Sequence, residues 1–471
     1  MKDLSVLEIN DQFHKGKESE SCNHDVFLFN TDSGPQVFVV DGSRIYGIPD
    51  DVYEEIASLI NAKGSTLNSF LEKLGVLNHH YITDKPAGLF PVKAVSLAIA
   101  QKCNLSCAYC YAQEGRFGGD SKNMELEVAI DSVKRLFKEC SSGDRVNLAF
   151  MGGEPLVNRS VLYAATEFAH KAAKEEGVKI GYSITTNGTL INPEDGGFFE
   201  KYGFAVSISL DGIGKDHDRT RQSNNGQGSY KEIVSRIKPL LQMQRNMQVS
   251  ARVTVTPLNL NLRETLNEFI GLGFHSVGFS PMLNSPNGKY QMESRELDIM
   301  LGQMIECGQG FEEHVIAGKR YPFFNMVSAM QEIHKGTHRP YPCGAGAGYL
   351  GVSADGDLYA CHRFVNDEDG AMGSIMDGVN KEKQAAWLSR WHVHFQEPCK
   401  ECWARYLCGG GCYYEVINRG RPACDYIRGW LHYCLQAYVR LLEKRPDYFG
   451  VQTTADISKK TKVKNDSIPI Y

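Results

Sequence analysis

Fourteen cysteines are the residues of this 471-residue sequence whose type and spacing could do the most specific chemistry. Eleven of them form two groups, whose members are Cys103, Cys107, Cys110, Cys343, Cys361, Cys399, Cys402, Cys408, Cys412, Cys424 and Cys434. In a large chain without an apolar export signal at its start, clustered cysteines indicate metal ligands rather than disulfides. The other three, Cys22, Cys140 and Cys307, are expected to be ordinary small apolar residues.

The first group is a Cys103-x3-Cys107-x2-Cys110 run in one short stretch. Three thiolates can hold a [4Fe–4S] cluster and leave one iron without a protein ligand, whereas four-cysteine sites usually serve electron transfer. An open iron can bind a substrate. The alternatives are a zinc site and cysteines that merely pack, but zinc would need a fourth ligand and neither His nor a further Cys lies close in the run.

The second group is denser and longer. Its centre is the spacing Cys399-x2-Cys402-x5-Cys408-x3-Cys412, and its outer members are Cys343, Cys361, Cys424 and Cys434. Eight cysteines can supply two complete four-cysteine clusters. The alternative for this group is a pair of zinc sites.

Strand-like runs alternate with helical patterns from Val95 onward and must position the first group. The predicted strands are Val95–Ala100, Val146–Phe150, Ile180–Thr185, Ala205–Leu210, Val249–Val255 and Ser276–Ser280. Six such repeats predict an α/β fold with parallel strands in an open or closed barrel, whose chemistry lies at the C-terminal ends of the strands. The first cysteine group follows the first strand, and Gly152-Gly153-Glu154, Asn187 and Asp211 follow the next three.

The two ends of the chain have different patterns. Three short strand-like runs come first, at Val26–Phe29, Gln36–Val40 and Arg44–Ile48, and helical patterns begin near Asp50 and Ser65. They predict a small α+β unit over residues 1–90, with a linker ending near Gly88. The barrel is expected over 91–335 and a cysteine-rich region with little periodicity over 336–450. A mobile polar tail is expected over 451–471.

Charge and hydropathy exclude several classes of partner. The net charge of −5 gives no strongly basic surface for nucleic acid. No apolar run is long enough to span a membrane. With no apolar segment at the start of the sequence, a cytosolic protein is expected.

The stretch Cys103-Asn104-Leu105-Ser106-Cys107-Ala108-Tyr109-Cys110 resembles the signature of the radical S-adenosylmethionine (SAM) superfamily. The resemblance implies a partial (β/α)6 barrel and a free iron that chelates the amino and carboxylate groups of SAM. It further implies that one electron cleaves SAM to methionine and a 5′-deoxyadenosyl radical, which removes hydrogen from an unactivated carbon. The cofactor would supply this chemistry and the protein would orient and shield it.

The same resemblance implies a set of SAM contacts. Gly152, Gly153 and Glu154 resemble the segment that contacts the SAM amino group. Ser209 belongs to a strand whose serine lies near the ribose or carboxylate, and either Arg221 or Arg252 could pair with the SAM carboxylate. The full set of candidate cofactor-binding residues is Tyr109, Gly152, Gly153, Glu154, Asn187, Ser209, Arg221 and Arg252.

The second group resembles the SPASM extension of radical SAM enzymes, which carries two auxiliary [4Fe–4S] clusters and would bring the total to three. The resemblance assigns Cys399, Cys402 and Cys408 to one cluster with a downstream cysteine, and Cys343, Cys361 and Cys412 to the other. Sulfatase-maturing relatives take a further ligand shortly before the position of Cys343, and this sequence has none there. Either Cys424 or Cys434 fills that place, or one cluster has an open iron that could bind a substrate thiolate.

Two further resemblances indicate a peptide substrate. The N-terminal unit resembles the module of peptide maturases that binds a leader by strand addition, although a plain capping domain is an alternative. The segment Arg419–Leu431 resembles the C-terminal part of the maturases for quinohemoprotein amine dehydrogenase. That implies thioether bonds from Cys sulfur to a methylene carbon of Asp or Glu. The partners would be a precursor peptide or small Cys-containing subunit and a reductant such as flavodoxin or ferredoxin.

Other functions remain open. The chain could be a peptide maturase that forms a different cross-link, or one that forms formylglycine. Sulfatase-type maturases keep an acidic base right after the position of Cys361, where this chain has His362. His362, Asp355 and Asp357 are the candidate proton acceptors, or turn and supporting residues. The non-enzymatic alternative is an iron–sulfur electron carrier or a zinc-stabilised binding module.

Overall fold

The computed structural model describes residues 22–62, 66–76 and 90–450. Four sequence expectations lie partly or wholly outside these residues. They are the N-terminal segment without an export signal, the helix start at Ser65, the linker near Gly88 and the polar tail over 451–471. The domain limits therefore stay predictions.

The N-terminal unit is a three-stranded antiparallel sheet with two helices. Its elements are β1 (Val26–Thr31), β2 (Gly34–Val39), β3 (Arg44–Gly47), α1 (Asp50–Asn61) and α2 (Thr66–Lys73). Successive side chains of a strand point to opposite faces of the sheet. Val26 and Leu28 therefore pack with Ile56 of α1 in a core of the unit's own, whereas Phe27 and Phe29 pack on the main body of the protein.

Six parallel strands in chain order form the partial barrel, so the predicted α/β architecture is confirmed. They are β4 (Ala94–Gln101), β6 (Arg145–Gly152), β7 (Lys179–Thr186), β8 (Ala205–Ser209), β9 (Gln248–Val255) and β10 (Ser276–Pro281), and β5 (Lys122–Asn123) pairs with β4. The helices of this part are α3 (Leu126–Phe137), α4 (Arg159–Glu176), α5 (Pro193–Tyr202), α6 (Lys215–Asp218), α7 (Tyr230–Met243), α8 (Leu262–Leu272), α9 (Ser294–Ile316) and α10 (Phe324–His334). Along β9, for example, Ala251 and Val253 are buried while Arg252 faces the lumen.

The cysteine-rich region continues the barrel sheet instead of standing apart from it. β11 (Tyr349–Val352) runs parallel to β4, and β12 (Asp357–Tyr359), β13 (Ala371–Ser374) and β14 (Gly378–Val379) follow antiparallel. Its helices are α11 (Lys381–Trp391), α12 (Arg405–Cys408), α13 (Tyr413–Arg419) and α14 (Cys424–Lys444). The strands of this region have two to four residues and are too short to show a period in the sequence, whereas α14 has 21 residues.

Six single 3₁₀ turns connect these elements, at Pro155–Asn158, His362–Phe364, Glu368–Gly370, Val393–Phe395, Cys399–Glu401 and Pro446–Phe449. Among the residues that the structure describes, no helix has both the length and the apolar character needed to cross a bilayer.

Candidate active site

Cys103, Cys107 and Cys110, here called the loop triad, lie in the loop that follows β4. Burial raises the pKa of Cys103 to about 11 and that of Cys107 to about 12, and the neighbouring thiolate of Cys110 adds to both rises. Three thiols thus share one partly buried place at the C-terminal end of a barrel strand. A cation would have to offset their charge when they ionise, as iron does for thiolate ligands.

Two glycines let the end of β6 pack directly on this loop. A Cβ atom at Gly152, where φ is +146°, would overlap the carbonyl oxygen of Ala100, and one at Gly153 would overlap that of Lys102. The Gly153 amide instead donates to the Ala100 oxygen at 2.8 Å. The Gly-Gly pair therefore keeps the loop triad against the strand ends, whether or not it also contacts a ligand.

Glu154 and Asn187 join the ends of β6 and β7 to the loop triad. The fully buried carboxylate of Glu154 accepts hydrogen bonds from Thr186 Oγ1 and from the Asn187 amide, both at 2.7 Å. Asn187 Nδ2 lies 3.7 Å from Cys103 Sγ and donates to Asn104 Oδ1 at 2.9 Å. Both side chains thus position Cys103.

Tyr109, Asp211 and Arg221 form a buried cluster next to the loop triad. Arg221 Nη1 donates to the Tyr109 hydroxyl at 2.7 Å and lies 3.6 Å from Asp211 Oδ2, and the Tyr109 hydroxyl also hydrogen-bonds Asp211. The Arg221 charge lowers the pKa of Cys107 against the larger effect of burial. Arg221 is therefore paired inside the protein and stabilises negative charge on the loop triad from there.

Ser209 and Arg252 are register partners on β8 and β9, and both side chains face the lumen. Protein atoms surround the Arg252 guanidinium closely enough that burial lowers its pKa, although it still reaches water through the open lumen. Within residues 22–62, 66–76 and 90–450 its guanidinium makes no hydrogen bond or ion pair. Arg252 is thus a lumen cation available to an anionic ligand.

The second cysteine group separates into two sets. Cys343, Cys361 and Cys412, here called the proximal triad, are electrostatic neighbours: burial raises the pKa of Cys361 to about 12, and the other two thiolates raise it further. Cys399, Cys402, Cys408 and Cys424, here called the distal tetrad, line one pocket together, and Cys412 also lines it. Burial raises the pKa of Cys399 to about 11, and the other tetrad thiolates add to that rise.

Cys434 lies apart from both sets in the structure. It lies ten residues beyond Cys424 on α14, a displacement of about 15 Å along a helix. Its fully buried thiol lies 4.0 Å from the sulfur of Met326. Cys424 belongs to the distal tetrad, so the proximal triad has three protein thiols.

Within the described part of the chain, no three His, Cys, Asp or Glu side chains converge closely enough to bind one metal ion. A single zinc ion holds each thiolate sulfur at about 2.3 Å. The two triads and the distal tetrad are wider groupings, and their all-thiol donor sets fit a [4Fe–4S] cluster.

A polar and aromatic bridge connects the loop triad to the proximal triad. The ring of Tyr111, the residue after Cys110, lies 6.2 Å from the ring of His362, the residue after Cys361. Tyr349 OH is 2.9 Å from His362 Nδ1. Burial lowers the pKa of His362 to about 3, and Arg363 and Arg252 lower it further, so the imidazole is neutral and a weak base at neutral pH.

The other two candidate proton acceptors lie elsewhere. Asp355 and Asp357 are exposed in the turn between β11 and β12, where Asp355 pairs with Lys122. In the described residues neither carboxylate pairs with His362, whose hydrogen-bond partner is Tyr349.

Sequence reasoning missed the residues of the bridge. Tyr111 and Tyr349 were not singled out, and neither was the neighbouring ion pair of Arg363 and Glu415. Their only sequence signal is that Tyr111, Arg363 and Glu415 each follow a grouped cysteine within three residues. The half-buried Cys22, expected to be ordinary, is also close enough for Cys402 to raise its pKa beyond the effect of burial.

Comparison with known proteins identifies the barrel. The family model of the radical SAM superfamily matches residues 97–279, which include the loop triad, Glu154, Ser209 and Arg252. Over these residues the chain is thus similar to the radical SAM superfamily. That superfamily uses SAM and a [4Fe–4S] cluster as cofactors.

Relatives of this chain include the cysteine-type anaerobic sulfatase-maturating enzyme of Clostridium novyi, 26% identical over 68% of this chain and 88% of the relative. The radical SAM cyclopropyl synthase TigE of Paramaledivibacter caminithermalis is 24% identical over 71% of this chain and 72% of its own. The solved structure of native anSMEcpe with bound AdoMet and Cp18Cys peptide covers 76% of this chain and 99% of its own at a TM-score of 0.60 and 21% identity. That likeness shows a shared fold.

Proposed function

We propose that this radical SAM enzyme carries three [4Fe–4S] clusters and forms thioether bonds between a Cys sulfur and a methylene carbon of Asp or Glu. The substrate is a small protein subunit or a precursor peptide. The observation that carries the proposal is the proximal triad, which has three thiols and lies one aromatic bridge away from the loop triad. A cluster held by three protein thiolates leaves an iron for the substrate thiolate, at the side of the lumen where carbon chemistry would occur.

The loop triad would hold the SAM-binding cluster, and together they would supply hydrogen abstraction from carbon. Of the eight candidate SAM contacts, Ser209 and Arg252 have polar groups directed into the lumen, so they are best placed to bind SAM directly. Tyr109, Glu154, Asn187 and Arg221 make their hydrogen bonds within the protein, so they orient and electrostatically support the loop triad. Gly152 and Gly153 allow the end of β6 to pack directly on the loop that carries the loop triad.

A peptide substrate is supported by the relatives that are named as sulfatase-maturating enzymes, and by the N-terminal unit. In the described residues β3 pairs only with β2, and a groove runs along its other edge between β3 and the helices α10 and α14. Backbone groups of such an edge can bind an extended leader by strand addition. Electrons would come from a reductant such as flavodoxin or ferredoxin.

The test is anaerobic. We expect the reconstituted protein to hold about twelve irons, four for each cluster, and to release 5′-deoxyadenosine when it is reduced with dithionite and given SAM. Mass spectrometry on a Cys-rich partner peptide should then show the loss of two hydrogens per bond. Bound zinc without 5′-deoxyadenosine would contradict the proposal and indicate a metal-stabilised binding protein. Bound iron without SAM cleavage would contradict it too and indicate an electron carrier.

Formylglycine formation is the second candidate, because several relatives are named as sulfatase-maturating enzymes. The weakly basic His362 stands where those enzymes have an acidic base, which favours the thioether reaction. A sulfatase-derived peptide incubated with the reduced enzyme and SAM distinguishes the two. An aldehyde trapped by a hydrazide reagent would show formylglycine, and its absence alongside cross-linking of the partner peptide would exclude it.

A further inference from the structure

Arg363 reaches across the proximal triad. It lies two residues after Cys361, in the 3₁₀ turn His362–Phe364, and its Nη1 atom lies within hydrogen-bonding distance of Cys412 Sγ, at 3.7 Å. One side chain thus starts next to one thiol of the triad and donates to another. Arg339 is also an electrostatic neighbour of the triad, at Cys343, but it donates to the carbonyl oxygen of Leu407 at 2.9 Å.

The guanidinium of Arg363 is held rigidly from three sides. Nη1 donates to Glu415 Oε1 at 2.5 Å, and the guanidinium carbon lies 4.3 Å from the ring centre of Tyr414 and 5.0 Å from that of Tyr111. The two side chains of the ion pair are 18% and 9% exposed. Tyr111 directly follows Cys110, so Arg363 is fixed between the loop triad and the proximal triad.

The hydrogen-bonding capacity of this pair is not exhausted. Arg363 Nε and Glu415 Oε2 are both buried without a partner in the described structure. Burying an ion pair requires desolvation that its mutual attraction often fails to offset. A buried guanidinium with a donor to spare, in contact with a thiol, therefore indicates a role toward the triad beyond packing.

We propose that Arg363 is a positioning residue that raises the reduction potential of the cluster held by Cys343, Cys361 and Cys412, an inference that rests on the proposed function. Reduction adds one electron to such a cluster and makes it more negative. A nearby cation and a hydrogen bond to a ligand sulfur stabilise the more negative form. Arg363 thereby makes this cluster the better acceptor for the electron that is released when the C–S bond forms.

The experiment is a redox titration of the full-length reconstituted protein with dithionite, without SAM, followed by electron paramagnetic resonance. The triad's signal is identified as the one lost in the variant with Cys343, Cys361 and Cys412 all changed to Ala. In Arg363→Gln we expect the equilibrium constant for one-electron reduction of that cluster to fall about tenfold, which is about 59 mV. Glu415→Gln removes a negative charge and should shift the same potential upward.

Arg428 provides a matched control at the distal tetrad, because its guanidinium hydrogen-bonds Cys402 and pairs with Asp425 at 2.5 Å. Arg428→Gln should lower the potential of the tetrad's cluster and leave that of the triad unchanged. Arg363→Gln should lower the potential of the triad's cluster and leave that of the tetrad's cluster unchanged.

The outcomes distinguish a failure of the cluster assignment from a failure of the role proposed for Arg363. If the wild-type protein has no signal that depends on the proximal triad, the cluster assignment of the proposed function fails and takes this inference with it. If the signal is present but moves in neither Arg363→Gln nor Glu415→Gln, the inference alone is wrong. Should Arg363→Gln not fold, an upward shift in Glu415→Gln supports the role of the pair, and an unchanged potential there overturns it.

Discussion

The proximal triad and the distal tetrad differ in how the chain builds them. The tetrad comes from one stretch between Cys399 and Cys424, and it supplies four thiols. The triad draws its three thiols from segments spread between Cys343 and Cys412, one of them just after β12 in the extended barrel sheet. The tetrad is thus built locally from four thiols, whereas the triad depends on the whole fold and, in the proposed function, would leave one iron of its cluster without a protein ligand.

The tetrad and the triad also differ in the parts of the protein that they contact. The stretch that carries the distal tetrad, here called the tetrad loop (residues 399–424), contacts the N-terminal unit. Phe27 stacks on Trp403 at 4.1 Å, and His24 lies 3.6 Å from Glu401. The triad contacts Tyr111, His362 and Arg363 on the side of the lumen. Metal sites with a full ligand set commonly serve structure or electron transfer, whereas open ones serve chemistry. Under the proposed function, the triad would take part in bond formation and the tetrad would have a supporting role.

The largest expected effect comes from removing each set in turn. Changing Cys343, Cys361 and Cys412 together to Ala should remove about four irons and abolish cross-linking, while reductive SAM cleavage persists because the loop triad is intact. Iron analysis, 5′-deoxyadenosine release and peptide mass spectrometry measure the three quantities. Cross-linking that survives in this variant would break the assignment of chemistry to the triad.

Cys424 and Cys434 give a sharper test, because both lie on α14. Cys424→Ala should lose the iron of the tetrad's cluster. Cys434→Ala should keep all iron and lower the free energy of unfolding by about 1 kcal/mol, since it removes one buried sulfur from the core. Iron content and thermal unfolding of the two variants decide this, and iron loss in Cys434→Ala would return that residue to the ligands.

Phe27 and Leu28 test whether the tetrad supports the N-terminal unit, since adjacent strand residues face opposite sides of the sheet. Phe27→Ala should weaken docking on Trp403 by about 3 kcal/mol and leave the unit's own core intact. Leu28→Ala should weaken that core instead. Hydrogen exchange distinguishes them: Phe27→Ala should expose the tetrad loop, and Leu28→Ala the amides of β1 and β2. Equal patterns would contradict the docking role.

Local sequence signals were enough for the barrel and for the cysteine groups. Buried strands such as Val249–Val255 carry their own periodicity, and thiol ligands carry their own chemistry. The resemblance already gave the division of the second group, and only the choice between Cys424 and Cys434 was not predictable, because it depends on where the two residues lie along α14. The contact of Arg363 with Cys412 joins two turns 49 residues apart, and no local pattern encodes it. The helix α5 was missed although Asn192 and Asp195 form a capping box at its start.

The smallest expected effect concerns Asp355, which lies near the triad in sequence but not in contact with the bridge. Its side chain is 54% exposed and pairs with Lys122, and such surface ion pairs contribute about 0–1 kcal/mol. Asp355→Asn should therefore change the unfolding free energy by less than about 0.5 kcal/mol and leave cross-linking unchanged, whereas Arg363→Gln shifts a potential. Thermal unfolding measures the free energy of unfolding of Asp355→Asn, and the yield of cross-linked peptide measures its activity. A loss of cross-linking with intact SAM cleavage in Asp355→Asn would mean that this turn moves to the substrate during turnover, and that the proton acceptor lies on it rather than on the bridge.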